Sequence, residues 1–223
     1  MLERMPRRST GPLPPRSAAP DLPRVLEDAD GWRPHADLQQ VRLAGLTGDV
    51  DLAHARLTEC VVATASVDRL DLSGATLVDV EVEEPRATAI AAGSGRWRSV
   101  RVTGGRIGTL DLARAELEAV ELRGVRIDYL ALTQATVRDL LIVDCTIGTL
   151  DVPFARLERV SVEDSRADEV DTRELRAKDL DLRGLDALAY TDPTALRGAT
   201  LSARQVAELA DAFAAALGID VRD

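Results

Sequence analysis

Residues 110–149 read LDLAR AELEA VELRG VRIDY LALTQ ATVRD LLIVD CTIGT. Cut every five residues, the third position of each step is Leu, Ile or Val. The first is aliphatic or small, and the second is mostly charged or polar. The register extends unbroken from Val50 to Ala189, 28 steps in all. Upstream, ADLQQ and VRLAG fit the same frame from Ala36 to Gly45, and Leu46–Asp49 (LTGD) then shifts it by one residue. That shift reads as a one-residue deletion at a corner.

A period of five suits neither a helix at 3.6 nor a strand at 2. It suits a chain that takes a short straight step, turns a corner and repeats, with the first and third side chains pointing inward. A second period lies above the first. VDLAH, LDLSG, LDLAR, LDVPF and VDTRE begin at residues 50, 70, 110, 150 and 170, so the phase recurs every 20 residues. Four steps close one square coil. Stacking aligns Leu52, Leu72, Ala92, Leu112, Leu132, Val152 and Thr172 on one inner face. Single coils cannot bury their apolar side chains, and stacked coils can. At a strand spacing of ~4.8 Å, seven coils make a rod roughly 34 Å long. The predicted fold class is an all-β solenoid, a right-handed quadrilateral β-helix of about 7–8 coils with a C-terminal α-helix.

The steps ATLVD, ARLTE, AELEA, ARLER, LDLSG and LDLAR resemble the pentapeptide-repeat family, whose motif is a small residue, Asp or Asn, Leu or Phe, and two variable residues. The resemblance covers about two-thirds of the chain. Val or Leu often replaces the small first residue here, and Val or Ile the central Leu. The resemblance implies a non-enzymatic interaction scaffold. It implies an alternative as well: some members are shaped and charged like B-DNA and occupy the DNA-binding saddle of gyrase, giving inhibition or fluoroquinolone-type protection. In gyrase-binding members a C-terminal helical segment makes a homodimer.

Composition agrees with a narrow, layered core. Aromatics are 3 % against 45 % hydrophobic residues, so small and branched aliphatics must fill the interior. The formal net charge of -10 disfavours direct binding to nucleic acid or anionic lipid. No apolar run is long enough to span a bilayer, and no apolar stretch follows the charged N-terminus as in a secretory signal. A cytoplasmic location is expected. No cofactor or metal is expected. His35 and His54 lack neighbours at ligand spacing, and Cys60 and Cys145, at inward first positions about four coils apart, are beyond disulfide reach.

The only patterned charge lies at outward second positions. Asp51, Asp71, Asp111, Asp151 and Asp171 form an acidic column, flanked by Arg56, Arg96, Arg156 and Arg176 on one side and Arg86, Arg106, Arg126 and Arg166 on the other. Glu163, Asp164 and Asp168 add an acidic cluster near the C-terminal end. These acids are the candidate interaction surface; mutual neutralisation by the arginines is the alternative. Leu141, Val143 and Phe154 are apolar at outward or corner positions. Trp97 falls at an inward third position beside Ala91, Ala92 and Gly95, which leave room for one large ring. A bulged loop carrying Trp97 outward is the other reading, and the unbroken frame favours the core.

The ends divide off. Residues 1–24, rich in Pro and Arg, are expected to form a disordered arm. Residues 25–35, with Trp32, are expected to lid the first coil; the solenoid occupies 36–189, and 190–223 form a C-terminal cap. Within the cap, Ser202 and Gln205 make a capping box for a helix over 203–217 that ends at Gly218. Val206, Leu209, Phe213 and Leu217 share one face. That stripe packs on the last coil or on a second copy of the chain.

Overall fold

The computed structural model describes residues 11–63 and 65–222. Among them the chain winds into a parallel β-solenoid of about eight coils. Long strands (Arg56–Ala63, Thr76–Glu83, Arg96–Thr103, Glu116–Arg123, Thr136–Val143, Arg156–Glu163) alternate with shorter ones (Ser66–Asp71, Arg86–Ala91, Arg106–Asp111, Arg126–Ala131, Thr146–Asp151, Ser165–Asp171). The long strands stack in one parallel sheet of 11 strands and the short ones in another of 8. Each strand bends round a corner, so two sheets supply four faces.

The pairing register between the central coils is 20 residues: Leu77 lies over Leu57, Trp97 over Leu77, and Ile127 over Ile107. The first coil is offset by 19, with Asp37 opposite Arg56 and Arg42 opposite Val61, and so is the last pairing, with Leu180 opposite Ala199. The offset changes between Gly48 and Asp49, which places the deletion at the end of the LTGD segment. First and third positions form one continuous buried cluster of Leu, Val, Ile and Ala. Trp97 is 3 % exposed inside it, and Cβ atoms are absent where Gly95 approaches the indole.

The corners explain the fifth position of the repeat. Three of the four carry a left-handed residue in coil after coil: His54, Ser94, Arg114, Gln134, Phe154 and Glu174 at one; Glu59, Asp79, Ser99, Ala119, Asp139, Arg159 and Asp179 at the next; Glu84, Asp144 and Asp164 at the third. Non-glycine residues seldom adopt this conformation, and β-branched ones least of all. The fourth corner, at Arg69, Ala89, Thr109, Tyr129 and Thr149, takes no positive φ and stays within the strands. Among the described fifth positions, β-branched residues stand only there.

Both ends are capped. At the N-terminal end Glu27–Asp28 pairs with Val41–Ala44. Ala29, rather than the more exposed Trp32, packs on the core. At the C-terminal end a 3-10 turn, Pro193–Leu196, buries Leu196. The expected single helix over 203–217 is instead two segments, Ala203–Glu208 and Ala210–Ala216, broken at Leu209 with φ -92 and ψ 2. The capping box at Ser202 and Gln205 is formed. No helix among the described residues is long and apolar enough to cross a membrane.

The disordered arm expected over 1–24 needs correction where it is described. Residues 11–24 run along the outside of the rod, anchored by backbone hydrogen bonds to carboxylates of distant coils. Residues 1–10 lie outside the described residues.

Candidate interaction surface

The interior offers no room for a substrate at the voids found between its side chains. Two such voids are about 20 Å³ each and lined by aliphatic residues, with Trp97 in one and Thr172 in the other; each is the size of one water molecule. The chemistry-bearing side chains are on the outside.

The acidic column exists as geometry. Asp51 lies beside Asp71, and Asp151 beside Asp171, in register, with Ala91 and Ala131 interrupting. Its carboxylates, however, are spent locally. Asp51, Asp71 and Asp111 each accept the N–H two residues on, at 2.9 Å, and Asp171 accepts that of Arg173 at 3.1 Å. This is the Asx-type turn that a short polar side chain makes with its own backbone. Asp151 is followed at that place by Pro153, which has no N–H, and it accepts the Thr133 hydroxyl instead. Arg173 holds the Asp171 carboxyl below the usual range. For Asp71, partial burial opposes the shift, but Ser73 and then Arg69 still hold the carboxyl low. The signal was present in the sequence: DLAH, DLSG, DLAR and DTRE each precede a tight corner.

The C-terminal cluster is more open. Glu163, Asp164 and Asp168 are exposed. Glu158 beside them is drawn into pairs with Arg159, Arg138 and Lys178. The arginine columns are exposed too, and Arg86, Arg106 and Arg126 stand in consecutive register on one face. Asp128 sits between the last two, 3.1 Å from Arg106 and 3.6 Å from Arg126; Arg106 foremost keeps its carboxyl low. The outer surface is therefore striped in both signs.

One corner differs from the others. Asp139 and Arg159, left-handed residues of consecutive coils, are 4 % and 9 % exposed. They form a bidentate pair at 2.6 and 2.7 Å. Arg159, then the backbone N–H of Arg16, hold the Asp139 carboxyl below its ordinary range. Further along the same corner Leu13 N–H reaches Asp179 at 3.2 Å and Asp21 N–H reaches Asp79 at 3.2 Å. All seven residues of this corner from Glu59 to Asp179 are buried or half-buried. Among the described residues at the two other left-handed corners, all are exposed except the glycines Gly74, Gly104 and Gly184. The backbone is the same at all three; the arm lies over one.

At the C-terminal end Gln205 does two tasks. Its Oε1 accepts the Ser202 N–H, and its Nε2 donates to the carbonyls of Leu182 and Leu185, both at 2.7 Å. The Leu182 carbonyl also accepts the Leu185 N–H, so the bond to Leu185 is the one that satisfies a carbonyl the last coil would leave open. Leu209 and Phe213 are half-buried, while Val206 and Leu217 remain 47 % and 69 % exposed over an open groove floored by Leu196 and Leu201. The helix stripe is thus only half covered.

The remaining candidates are structural. Leu141 and Val143 are half-buried and Phe154 is exposed at a corner. Cys60 and Cys145 are free and buried, and burial raises both thiols. His35 and His54 occupy the same corner of consecutive coils with rings stacked at 5.1 Å. The 19-residue offset of the first coil brings them together, and spacing alone does not reveal it. No group of three or more metal-ligating side chains occurs among the described residues.

No family model and no curated protein matches the chain. Among solved structures it is similar to HetL, a pentapeptide repeat protein involved in heterocyst differentiation regulation from the cyanobacterium Nostoc sp. strain PCC 7120. The match has 17 % identity over 77 % of this chain and 91 % of that one, with a TM-score of 0.23. At that score the likeness carries no weight of its own, and the fold stands on the strand register.

Proposed function

We propose that this chain is a non-enzymatic pentapeptide-repeat scaffold that binds proteins along the outside of its rod. The observation that carries the reading is the division of labour in the coil. First and third positions fill the interior, and nearly all ionisable groups stand on regular outer faces at a coil spacing of ~4.8 Å. Such faces suit flat or extended partners, as in other solenoids.

The striped charge supports this reading over a gyrase-binding DNA mimic. A mimic presents free phosphate-like acids, whereas four of the five column aspartates cap their own turns and three arginines stand in a row on the neighbouring surface. The half-covered helix stripe at Val206 and Leu217 supports a second copy as one partner, joined end to end.

The test is quantitative affinity capture with the wild-type rod and with an Arg86→Glu/Arg106→Glu/Arg126→Glu variant that stays folded. Partners retained by the wild type and lost from the variant support the scaffold. Inhibition of gyrase supercoiling at micromolar protein, or rescue from fluoroquinolone-induced cleavage, would replace it with the mimic.

A further inference from the structure

The arm fits the rod in a way that composition alone does not require. Leu13 and Asp21 stand eight residues apart and are anchored to Asp179 and Asp79, five coils apart. Five coils span about 24 Å at ~4.8 Å each. Eight residues of polyproline II helix span about 25 Å at ~3.1 Å each. A β-strand of eight residues would overshoot slightly, at about 26–27 Å, and an α-helix would reach only about 12 Å. The two repeats are also commensurate: one three-residue turn of polyproline II advances about 9.3 Å, and two coils about 9.6 Å. Leu13 and Arg16, three residues apart, duly meet Asp179 and Asp139, two coils apart.

Sequence and burial agree. Pro12, Pro15, Pro20 and Pro23 are the half-buried prolines of the arm, spaced by three within each half, while Pro14 faces out. Proline pre-sets the extended conformation and donates no hydrogen bond, so the donors are the non-proline N–H groups of Leu13, Arg16 and Asp21. The acceptors are side-chain carboxylates. The track therefore reads backbone spacing and conformation rather than a particular side chain. Its charge, from Glu59, Asp79, Asp139 and Asp179 against Arg159 alone, complements the arm's Arg16 and Arg24, which outnumber its one acid, Asp21.

We propose that the corner from Glu59 to Asp179 is a binding track for proline-rich, basic segments in the polyproline II conformation. Residues 11–24 are its resident ligand in cis, and a segment of that chemistry on a partner protein competes for it in trans. This rests on the scaffold reading and names its partner class.

The probe is a fluorescein-labelled synthetic peptide of residues 11–24, titrated by fluorescence anisotropy into two full-length proteins: the wild type and a Pro12→Gly/Pro15→Gly/Pro20→Gly variant whose own arm is loosened. Amide hydrogen exchange at Leu13 and Arg16 reports the arm directly. The expected result is faster exchange in the variant and peptide affinity at least tenfold above that of the wild type. Adding Asp79→Ala and Asp179→Ala to the variant should lower that affinity tenfold or more, as should replacing the peptide's prolines by glycine. Equal affinity for both proteins, no binding to a folded variant, or an arm that stays protected without its prolines would each overturn the track. Those results leave charge-reversal on the arginine face free to succeed or fail separately, so the scaffold reading is judged apart.

Discussion

A valine placed at Ser94 and a valine placed at Ala89 occupy the same position of the five-residue repeat, yet they should behave differently. Ser94 is exposed at a left-handed corner with φ 57. Ala89 is at the corner without a positive φ, between Arg69 and Thr109 in register, and Thr109 already shows that a β-branched residue fits there. A β-branched side chain in the left-handed region meets its own backbone, at a cost of about 1–3 kcal/mol. No core contact is lost at an exposed corner, so Ser94→Val should cost about that amount, a change of roughly 5- to 160-fold in the folding equilibrium by ordinary free-energy conversion. Ala89→Val should stay within about 0.5 kcal/mol of wild type. Urea unfolding followed by circular dichroism, with the slope checked for constancy, reads the difference. Equal costs at the two sites would refute the assignment of corner handedness, and with it the explanation of the fifth position.

Three further outcomes are expected. Trp97→Ala should destabilise the rod by about 3–5 kcal/mol, measured by the same unfolding curve, because a buried ring leaves a cavity that flanking coils cannot close. Gln205→Met should cost about 1–3 kcal/mol, since it strands the Leu185 carbonyl and takes one of two donors from that of Leu182; faster amide exchange confined to the last coil would confirm where the loss falls. Acid should weaken the rod. Asp139, Asp171 and Asp181 have lowered carboxyls, held foremost by Arg159, Arg173 and Arg183. Groups of this sign contribute stability above their unfolded pKa of about 4, and that stability is lost as pH falls through the lower folded value. Unfolding at pH 3 should therefore need less urea than at pH 6, and the reverse order would contradict the pairing.

The coil was legible because its determinants are local and periodic. Inward Leu, Val and Ile at the third position of each step fixed the five-residue step, the recurring VDL and LDL steps fixed the 20-residue coil, and the LTGD segment marked where the register slips near the start; the matching slip at Ala199 lay beyond the repeats. Trp97 followed from its frame and its small neighbours. The acidic column was visible, but not its local hydrogen bonding: Asp51 and Asp71 accept the N–H two residues on, which depends on corner geometry. The docked arm was hidden for a different reason. Nothing in GPLPPRSAAPDLPR has a strand or helix period, and its anchors, Asp79, Asp139 and Asp179, belong to coils up to a hundred residues apart that share one edge only after winding. The break at Leu209 was hidden too, since Val206, Leu209, Phe213 and Leu217 keep helical spacing across it.

Twenty residues advancing the chain by one strand spacing underlies the rod, the outer stripes and the fit of the arm. Electron–electron distance measurement between spin labels on exposed residues of one corner tests it most directly. With Cys60→Ala and Cys145→Ala as background, labels at Ser94 and Glu174 span four coils, about 19 Å, and labels at His54 and Glu174 span six, about 29 Å. The predicted result is a difference of about 10 Å between the two pairs, in narrow distributions. Distances that fail to lengthen with each added pair of coils, or that spread broadly, would contradict the solenoid.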